Sequence, residues 1–251
     1  MIGDIVRAAE RLAGHAVHTP LLNAPLLDAD AGRRIFVKAE CLQKTGSFKY
    51  RGARNTVASL TDAERAAGVI AYSSGNHAQG VALAAREMGA PATIVMPADA
   101  PALKIANTRA LGADVVLYDR ENEDRDAIGQ TLARDRGLTL IRPYDDLRVI
   151  AGQGTCGLEI AAQAADAGVT EAEVLVCCGG GGLTSGIATA LADRAPGLRV
   201  RPVEPLGFDD VARSLAAGSI QRNDRHGGSL CDAIVTPAPG DLTFPIMSAH
   251  C

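Results

Sequence analysis

Residues 44–53 read Lys-Thr-Gly-Ser-Phe-Lys-Tyr-Arg-Gly-Ala, and much later an apolar run at 174–178 leads into four consecutive glycines at 179–182. A lysine amine such as that of Lys49 can form a Schiff base with an aldehyde. Four glycines that open a helix can present bare backbone N–H groups to a phosphate. Either motif alone has an ordinary explanation, because most lysines are solvated surface charges and most glycine runs are flexible loops. Together they indicate a cofactor that carries both an aldehyde and a phosphate, which is pyridoxal phosphate.

A third motif consists of Ser73, Ser74, Gly75, Asn76 and His77. It follows the apolar stretch 69–72 and precedes a helical pattern at 81–88, so it predicts a turn between a strand and a helix. Backbone amides and polar side chains at such a helix start can bind a substrate carboxylate. The alternatives are that Ser74 and Asn76 only cap the helix and that His77 is a partly buried structural group.

The rest of the chain alternates short β-branched runs with longer helical patterns, which is typical of parallel βαβ units and predicts an α/β fold. An apolar stripe predicts an opening helix that starts at Ile2. The predicted strands lie at 35–37, 69–72, 93–96, 115–117, 138–141, 174–178 and 199–204, and two later helices are predicted at 157–167 and 183–194. The four strands between 69 and 141 are expected to form one lobe that ends near Pro143.

The order and spacing of the three motifs resemble the serine/threonine dehydratase and serine racemase family of fold-type II pyridoxal phosphate-dependent enzymes, from Met1 to Cys251. The resemblance implies a two-domain, tryptophan synthase beta-like fold with three-layer open sheets. It divides the chain into the N-terminal part of a large domain (1–55), a small domain (56–147) and the C-terminal part of the large domain (148–251). It also implies that the last part of the large domain is absent, which would leave apolar surface uncovered around Ile234, Val235, Phe244, Ile246 and Met247.

The same resemblance assigns roles to residues of the three motifs. Lys49 is the cofactor lysine and a mobile base, and Ser74 matches a second base on the opposite face of the cofactor. Phe48 is expected beside the cofactor, and Asn76 is expected to bind its phenolic oxygen. The implied phosphate and carboxylate ligands form two sets: Gly179, Gly180, Gly181, Gly182 and Leu183 for the cofactor, and Ser73, Ser74, Gly75, Asn76 and His77 for the substrate. From its position alone, Ser47 is expected to be the N-cap of the lysine helix.

Residues 204–210 resemble the divalent-cation site of the family. The matching oxygen ligands are the carboxylate of Glu204, the backbone carbonyl of Phe208 and the carboxylate of Asp210, a set that suits Mg²⁺ or another hard cation. The alternative is that Asp209 and Asp210 only favour the start of a helix.

Composition excludes several other classes of protein. A formal net charge of −4 over 251 residues provides no basic face for nucleic acid. No apolar run is long enough to span a bilayer, and the start of the chain does not read as a secretory signal. The six cysteines show no C-x-x-C pair, so we expect a reduced, cytoplasmic protein, with Cys177 and Cys178 packed in the core. The resemblance further implies a homodimer.

The expected activity is that of an ammonia-lyase (dehydratase) that converts L-threonine, L-serine or both to a 2-oxo acid and ammonia. The alternatives are a serine or aspartate racemase, a 3-hydroxyaspartate dehydratase, and a non-catalytic remnant that binds pyridoxal phosphate or an amino acid. A nucleotide binder is a further alternative for the glycine tract. A Walker loop would end in Gly-Lys-Ser/Thr, however, and this tract continues with residues 183–185, Leu-Thr-Ser.

Overall fold

A computed structural model describes residues 1–225 and 227–251 of the chain. Its first half contains α1 (Ile2–Leu12), β1 (Leu21–Asn23), α2 (Pro25–Ala31), β2 (Phe36–Lys38), α3 (Lys49–Ala58), α4 (Asp62–Ala67), β3 (Val69–Tyr72), α5 (Asn76–Glu87), β4 (Ala92–Pro97), α6 (Ala102–Ala110) and β5 (Asp114–Tyr118). Its second half contains α7 (Arg125–Arg136), β6 (Thr139–Leu140), α8 (Leu147–Asp166), β7 (Ala172–Cys177), α9 (Gly182–Arg194), β8 (Leu198–Val203), α10 (Asp210–Ala217) and α11 (Thr243–His250). The predicted α/β class is confirmed.

Four parallel strands form the larger sheet, in the order β5-β4-β3-β6. These are the four strands that the sequence predicts between residues 69 and 141. Every residue of β4 is buried, as expected for a strand at the centre of a sheet covered on both faces. The carboxyl end of β3 leads directly into the motif that begins at Ser73, so the sheet determines where that motif lies.

Two smaller sheets complete the chain. β7 and β8 pair in parallel, and α9 connects them. One face of this pair packs against α8 and α9 through a core that includes Val176, Ile187 and Val200. β1 and β2 form an antiparallel pair near the start of the chain. The strand predicted at 174–178 was expected to be buried, but of β7 only Val176 is buried, because one face of this two-stranded sheet is open to solvent. Since α9 follows β7 closely, the glycine tract lies between the carboxyl end of this strand and the start of a helix.

The helix predicted at 157–167 is wrong at its start, because α8 begins ten residues earlier at Leu147. Its first half contains glycines, which lower helix propensity. A Cβ on Gly152 would lie 2.6 Å from the carbonyl oxygen of Arg51, and one on Gly154 would lie 2.6 Å from a methyl carbon of Ile5. Close packing against α3 and α1 therefore requires glycine at positions where local propensity argues against a helix.

The expectation of an uncovered apolar surface near the C-terminus is wrong for Met247, which is fully buried beside Cys178 and Val211. Ile234 and Phe244 are half-buried. Within the described residues, none of the helices combines the length and the apolar character that crossing a membrane would require.

Candidate active site

Lys49 is the first residue of α3, and the backbone before it follows an unusual path. Thr45 and Gly46 both have positive φ, at 61° and 72°, after which Ser47 is extended. The N-cap position falls on Phe48, which makes no side-chain cap. The prediction that Ser47 caps this helix is therefore wrong, because Ser47 lies one residue too early. Its hydroxyl is buried without a hydrogen-bond partner among the described residues.

The Lys49 amine is half-buried and donates a hydrogen bond from Nζ to the carbonyl oxygen of Pro143, at 2.7 Å. Burial lowers the pKa of Lys49 to about 8, and the nearby Cys177 opposes this shift only in part. Helix α5 approaches closely here, since a Cβ on Gly80 would lie 3.1 Å from the carbonyl carbon of Lys49. The side chain predicted to be the nucleophile is thus held in place and is easier to deprotonate than a surface lysine.

Residues 141–146, called the connecting segment here, join β6 to α8 and contact every part of the site. The carbonyl of Ile141 lies 2.9 Å from Nε2 of His77, which is 4% exposed. Burial, assisted by the charge of Lys49, lowers the pKa of His77 to about 3, so its ring is neutral at pH 7. Because a carbonyl only accepts, Nε2 carries the hydrogen and donates it to Ile141. The His77 side chain therefore binds the connecting segment.

The glycine tract packs against Tyr144 of the connecting segment. A Cβ on Gly180 would lie 2.3 Å from the ring of Tyr144, and one on Gly182 would lie 2.9 Å from the Cβ of Tyr144. Gly181 has φ of 90°, and a Cβ there would lie 2.6 Å from Cε of Met247. The tract must therefore be glycine on both steric and conformational grounds. Since Tyr144 follows Pro143, the tract and the Lys49 amine contact adjacent residues.

Residues near the C-terminus fix the backbone of the tract. The carbonyl of Gly180 accepts hydrogen bonds from the amide of Gly240 at 3.2 Å and from the hydroxyl of Thr243 at 2.6 Å. The carboxylate of Asp145 in turn accepts from the amide of Leu242, at 2.8 Å. These contacts connect α11, the glycine tract and the connecting segment.

The serine-glycine-asparagine motif forms the turn between β3 and α5. Gly75 occupies the N-cap position, and no side chain caps this helix, so the capping interpretation of Ser74 and Asn76 is wrong. Ser73 Oγ accepts from the amide of Gly75, at 3.2 Å. Both Ser74 and Asn76 are at least partly accessible. Their side chains are therefore available at the opening of a helix whose first amides lack intrahelical acceptors.

Comparison with known proteins agrees with this arrangement. Residues 12–251 match the family described as "Pyridoxal-phosphate dependent enzyme". The chain belongs to this family. It is 49% identical to an L-threo-3-hydroxyaspartate ammonia-lyase from Pseudomonas sp, over 97% of this chain and 75% of that protein.

Two solved structures of family members are also similar to this chain. It matches a threonine deaminase from T.th. with a TM-score of 0.93 and 45% identity, over 99% of this chain and 79% of that one. It matches maize serine racemase with a TM-score of 0.93 and 37% identity, over 99% of this chain and 74% of that one. These relatives include an ammonia-lyase, a deaminase and a racemase, which are named for different substrates.

As a family member, the chain has residues that fit pyridoxal phosphate. Lys49 supplies an amine whose pKa, about 8, lies near neutrality. The amides of Gly182, Leu183 and Thr184 open α9, where the helix dipole is positive and favours a phosphate. Phe48 is half-buried, and its ring centroid lies 5.4 Å from Nζ of Lys49. The aldehyde partner, the anion site and a neighbouring aromatic ring are therefore all present.

The acidic motif lies between the end of β8 and the start of α10. Both carboxylate oxygens of Glu204 accept backbone amides, from Val211 and Ala212 at 2.9 Å each. Asp210 is 1% exposed, and its Oδ1 accepts from Asn223 at 2.5 Å while its Oδ2 has no partner among the described residues. Burial and the proximity of Asp210 raise the pKa of Glu204 to about 7.

These residues have the chemistry of a hard-cation site. The two carboxylates and the carbonyl of the buried Phe208 are oxygen donors, and Oδ2 of Asp210, which has no hydrogen-bond donor among the described residues, needs either a cation or a proton shared with Glu204. Among the side chains that the structure describes, no three from His, Cys, Asp and Glu group together at metal-binding distances. A cation at these residues would therefore need the backbone carbonyl of Phe208 as its third ligand.

Sequence reasoning missed several residues of the site. Tyr144, Asp145, Gly240 and Thr243 shape the glycine tract, yet the sequence marks residues 142–145 only as the end of a lobe. Cys177 was expected in the core with Cys178, but only Cys178 is buried. The alternation of side chains along an extended chain could have revealed this difference, because Cys177 ends β7 and the next residue, Cys178, points to the opposite side.

Proposed function

We propose that the protein is a pyridoxal phosphate-dependent ammonia-lyase that acts on a β-hydroxy-α-amino acid, with L-threonine and L-serine as the first substrates to test. One observation carries the proposal. The amine of Lys49, with its pKa lowered to about 8, contacts the connecting segment beside a glycine tract that opens a helix. An amine in such a position can both attach to a cofactor aldehyde and exchange a proton near neutral pH.

The residues of the site have complementary roles in this proposal. When bound, the cofactor supplies an electron sink for the bond that breaks at the substrate α-carbon. Lys49 removes the α-proton, and the amides of α9 bind the phosphate. The turn at 73–77 binds the substrate carboxylate through its amides, and Asn76 orients the ring of the cofactor. Protonation of the β-hydroxyl lets it leave as water and gives a 2-amino-2-alkenoate. This product tautomerises to an imine, and addition of one water to the imine releases ammonia and the 2-oxo acid.

A second candidate substrate is L-threo-3-hydroxyaspartate. The 49% identity to a lyase described by that substrate favours testing it, because it shares the amino, carboxylate and β-hydroxyl groups of serine and threonine. Its additional carboxylate needs a further positive or hydrogen-bonding group in the site. Turnover of the three substrates by the purified protein, measured as 2-oxo acid released per second, ranks them.

Racemisation is the alternative reaction on the same site. Ser74 is half-buried at the start of α5, and one relative is a serine racemase. Two bases on opposite faces of the α-carbon would permit inversion. Chiral chromatography of L-serine incubations measures this reaction, and Ser74→Ala is expected to abolish D-serine while it spares elimination. If Ser74→Ala lowers the formation of D-serine and of the 2-oxo acid equally, Ser74 has no separate role in racemisation.

The decisive test compares Lys49→Ala with Lys104→Ala, which removes the same charge from α6. Lys49→Ala is expected to abolish the visible absorbance that develops on adding cofactor and to lower 2-oxo acid formation by about 100-fold or more. Lys104→Ala should retain both the visible absorbance and the rate of 2-oxo acid formation. Full activity in Lys49→Ala rejects the proposal, whereas visible absorbance without turnover in the unmodified protein indicates a binding remnant.

The metal site is a separate part of the proposal. We assign Glu204, the carbonyl of Phe208 and Asp210 to a Mg²⁺ or similar cation that stabilises the start of α10 and takes no part in the chemistry. The domain boundaries at 55/56 and 147/148, a homodimer and a cytoplasmic location stay predictions.

A further inference from the structure

Arg51 is the largest side chain in the buried core, with 1% of its surface exposed. Its guanidinium group is fully engaged. Nε and NH2 donate to the two carboxylate oxygens of Glu40, at 2.8 and 2.7 Å. NH1 and NH2 donate to the two oxygens of Glu159, at 2.6 and 2.9 Å. Two paired carboxylates around one guanidinium fix its orientation as well as its position.

The partners of Arg51 come from distant parts of the chain. Glu40 lies in the turn after β2, and Glu159 lies on α8. Lys38 on β2 donates to Glu159 at 2.5 Å, which brings the group to two positive and two negative charges. This set of four residues, Lys38, Glu40, Arg51 and Glu159, is called the buried ion network below.

The buried ion network acts on the same helical turn that carries Lys49. Two residues along an α-helix correspond to a rotation of about 200°, so Arg51 and Lys49 project from nearly opposite sides of α3. Arg51 faces the network, while the Lys49 amine faces Pro143. A rotation of this turn that moved one side chain would move the other.

Two other contacts limit movement of the same turn. Cα of Gly52 lies 2.7 Å from where a Cβ on Gly152 would be, so α8 touches α3 backbone to backbone. On another side, α5 meets Lys49 at Gly80. Neither contact is directional, because close packing resists approach more strongly than it resists rotation. The hydroxyl of Tyr50 also donates to Glu87, but Arg51 makes four hydrogen bonds to two carboxylates and therefore specifies the angle of the turn most strongly.

We propose that Arg51 is a positioning residue that fixes the rotation of the first turn of α3 and thereby aims the Lys49 amine. Burying four charges is costly and adds little stability compared with an apolar core, so directional specificity is the gain that the network offers. The inference rests on the proposed role of Lys49. It concerns how fast Lys49 attaches to the cofactor, independently of the substrate.

The test compares Arg51→Lys with Val57→Ala in cofactor-free protein. Lysine keeps the charge and loses the fork, whereas Val57, fully buried on the same helix, leaves a cavity that destabilises α3 without touching the network. Thr155→Val removes one acceptor from Arg51 and serves if Arg51→Lys does not fold. Unfolding midpoints establish that the variants fold and lose comparable stability.

The readout is the rate at which added pyridoxal phosphate becomes attached to Lys49, trapped by borohydride and located by peptide mass. Arg51→Lys is expected to slow attachment by about tenfold to 100-fold and to change the visible circular dichroism of the bound cofactor. Val57→Ala should attach within about twofold of the unmodified rate, since its cavity leaves the fork intact.

An unchanged rate and dichroism in Arg51→Lys overturn the inference, and so does an equal slowing in Val57→Ala, which would make stability the cause. If the unmodified protein itself attaches no cofactor, the proposed function fails and the inference fails with it. If attachment is normal in the unmodified protein and in Arg51→Lys alike, only the inference fails.

Discussion

Two groups of buried charges in this chain are neutralised in different ways. The buried ion network contains equal numbers of positive and negative groups, and every donor nitrogen of its arginine has an acceptor. The pair Glu204 and Asp210 contains two carboxylates, and one oxygen of Asp210 has no partner among the described residues. The first group is complete within the chain, whereas the second needs a proton or a cation.

The pKa shifts follow this difference. Contacts with Arg51 and Lys38 lower the pKa of Glu159 even though burial opposes the shift. For Glu204, burial and the neighbouring Asp210 raise the pKa to about 7. Burial beside counter-ions keeps a carboxylate ionised, whereas burial beside another carboxylate favours its protonated form. The comparison therefore separates a structural charge group from one that can respond to a ligand.

The largest expected loss of stability comes from removing the arginine of the buried ion network. Arg51→Met leaves Glu40 and Glu159 buried with only Lys38 to compensate them, and it is expected to lower the free energy of unfolding by about 3–5 kcal/mol. Urea unfolding followed by far-UV circular dichroism measures this loss. A loss no larger than that of the surface variant described last would contradict the view that this network is tightly coupled.

The second-largest effect is expected when a cation binds to the pair Glu204 and Asp210. Mg²⁺ at 100 times its dissociation constant is expected to raise the free energy of unfolding by about 2.7 kcal/mol, because it supplies the missing positive partner. Asp210→Asn should abolish this response. NaCl at matched ionic strength is the control for general screening. If Mg²⁺ stabilises both proteins equally, the two carboxylates do not form its site.

A smaller effect is expected when one carboxylate of the pair Glu204 and Asp210 is removed in the absence of metal. Asp210→Asn removes one of two like charges and places an amide donor near Glu204, so the metal-free variant is expected to gain about 1 kcal/mol of stability at pH 8. Urea unfolding in the presence of a chelator provides the measurement. A loss of stability instead would show that the ionised Asp210 is already compensated within the protein.

The smallest effect is expected at the surface. Arg201 pairs with Glu173 across β7 and β8, where both side chains are largely exposed. Exposed pairs contribute little because water screens them, so Arg201→Met should leave the thermal midpoint unchanged within experimental error. If Arg201→Met lost as much stability as Arg51→Met, burial would not be what distinguishes the exposed ion pair from the buried ion network.

Sequence patterns predicted the parts of the fold that depend on local residues. β3 coincides with the predicted strand at 69–72 because a four-residue apolar run bounded by turn residues is too short for a helix and suits a buried strand. The first half of α8 was missed, since its glycines satisfy a contact with α3 that no local pattern reveals. The N-cap of α3 was misplaced for a similar reason, because a left-handed turn at Thr45 shifts it by one residue.

The candidate site divides in the same way. Lys49, the serine-glycine-asparagine turn and the glycine tract are contiguous motifs, so their order alone indicated the cofactor. The connecting segment and the residues near Thr243 could not be identified, because they reach the site only through contacts between distant parts of the chain.

The sequence by itself determined the α/β class and the family and predicted Lys49 as the cofactor lysine, since short motifs carry these properties whatever surrounds them. Only the tertiary structure decided which carbonyl accepts from the Lys49 amine, which carboxylates surround Arg51 and which carboxylate oxygen lacks a partner among the described residues. The physical reason is that burial and electrostatic neutralisation depend on neighbours in space, and Arg51 and Glu159 lie 108 positions apart in the chain.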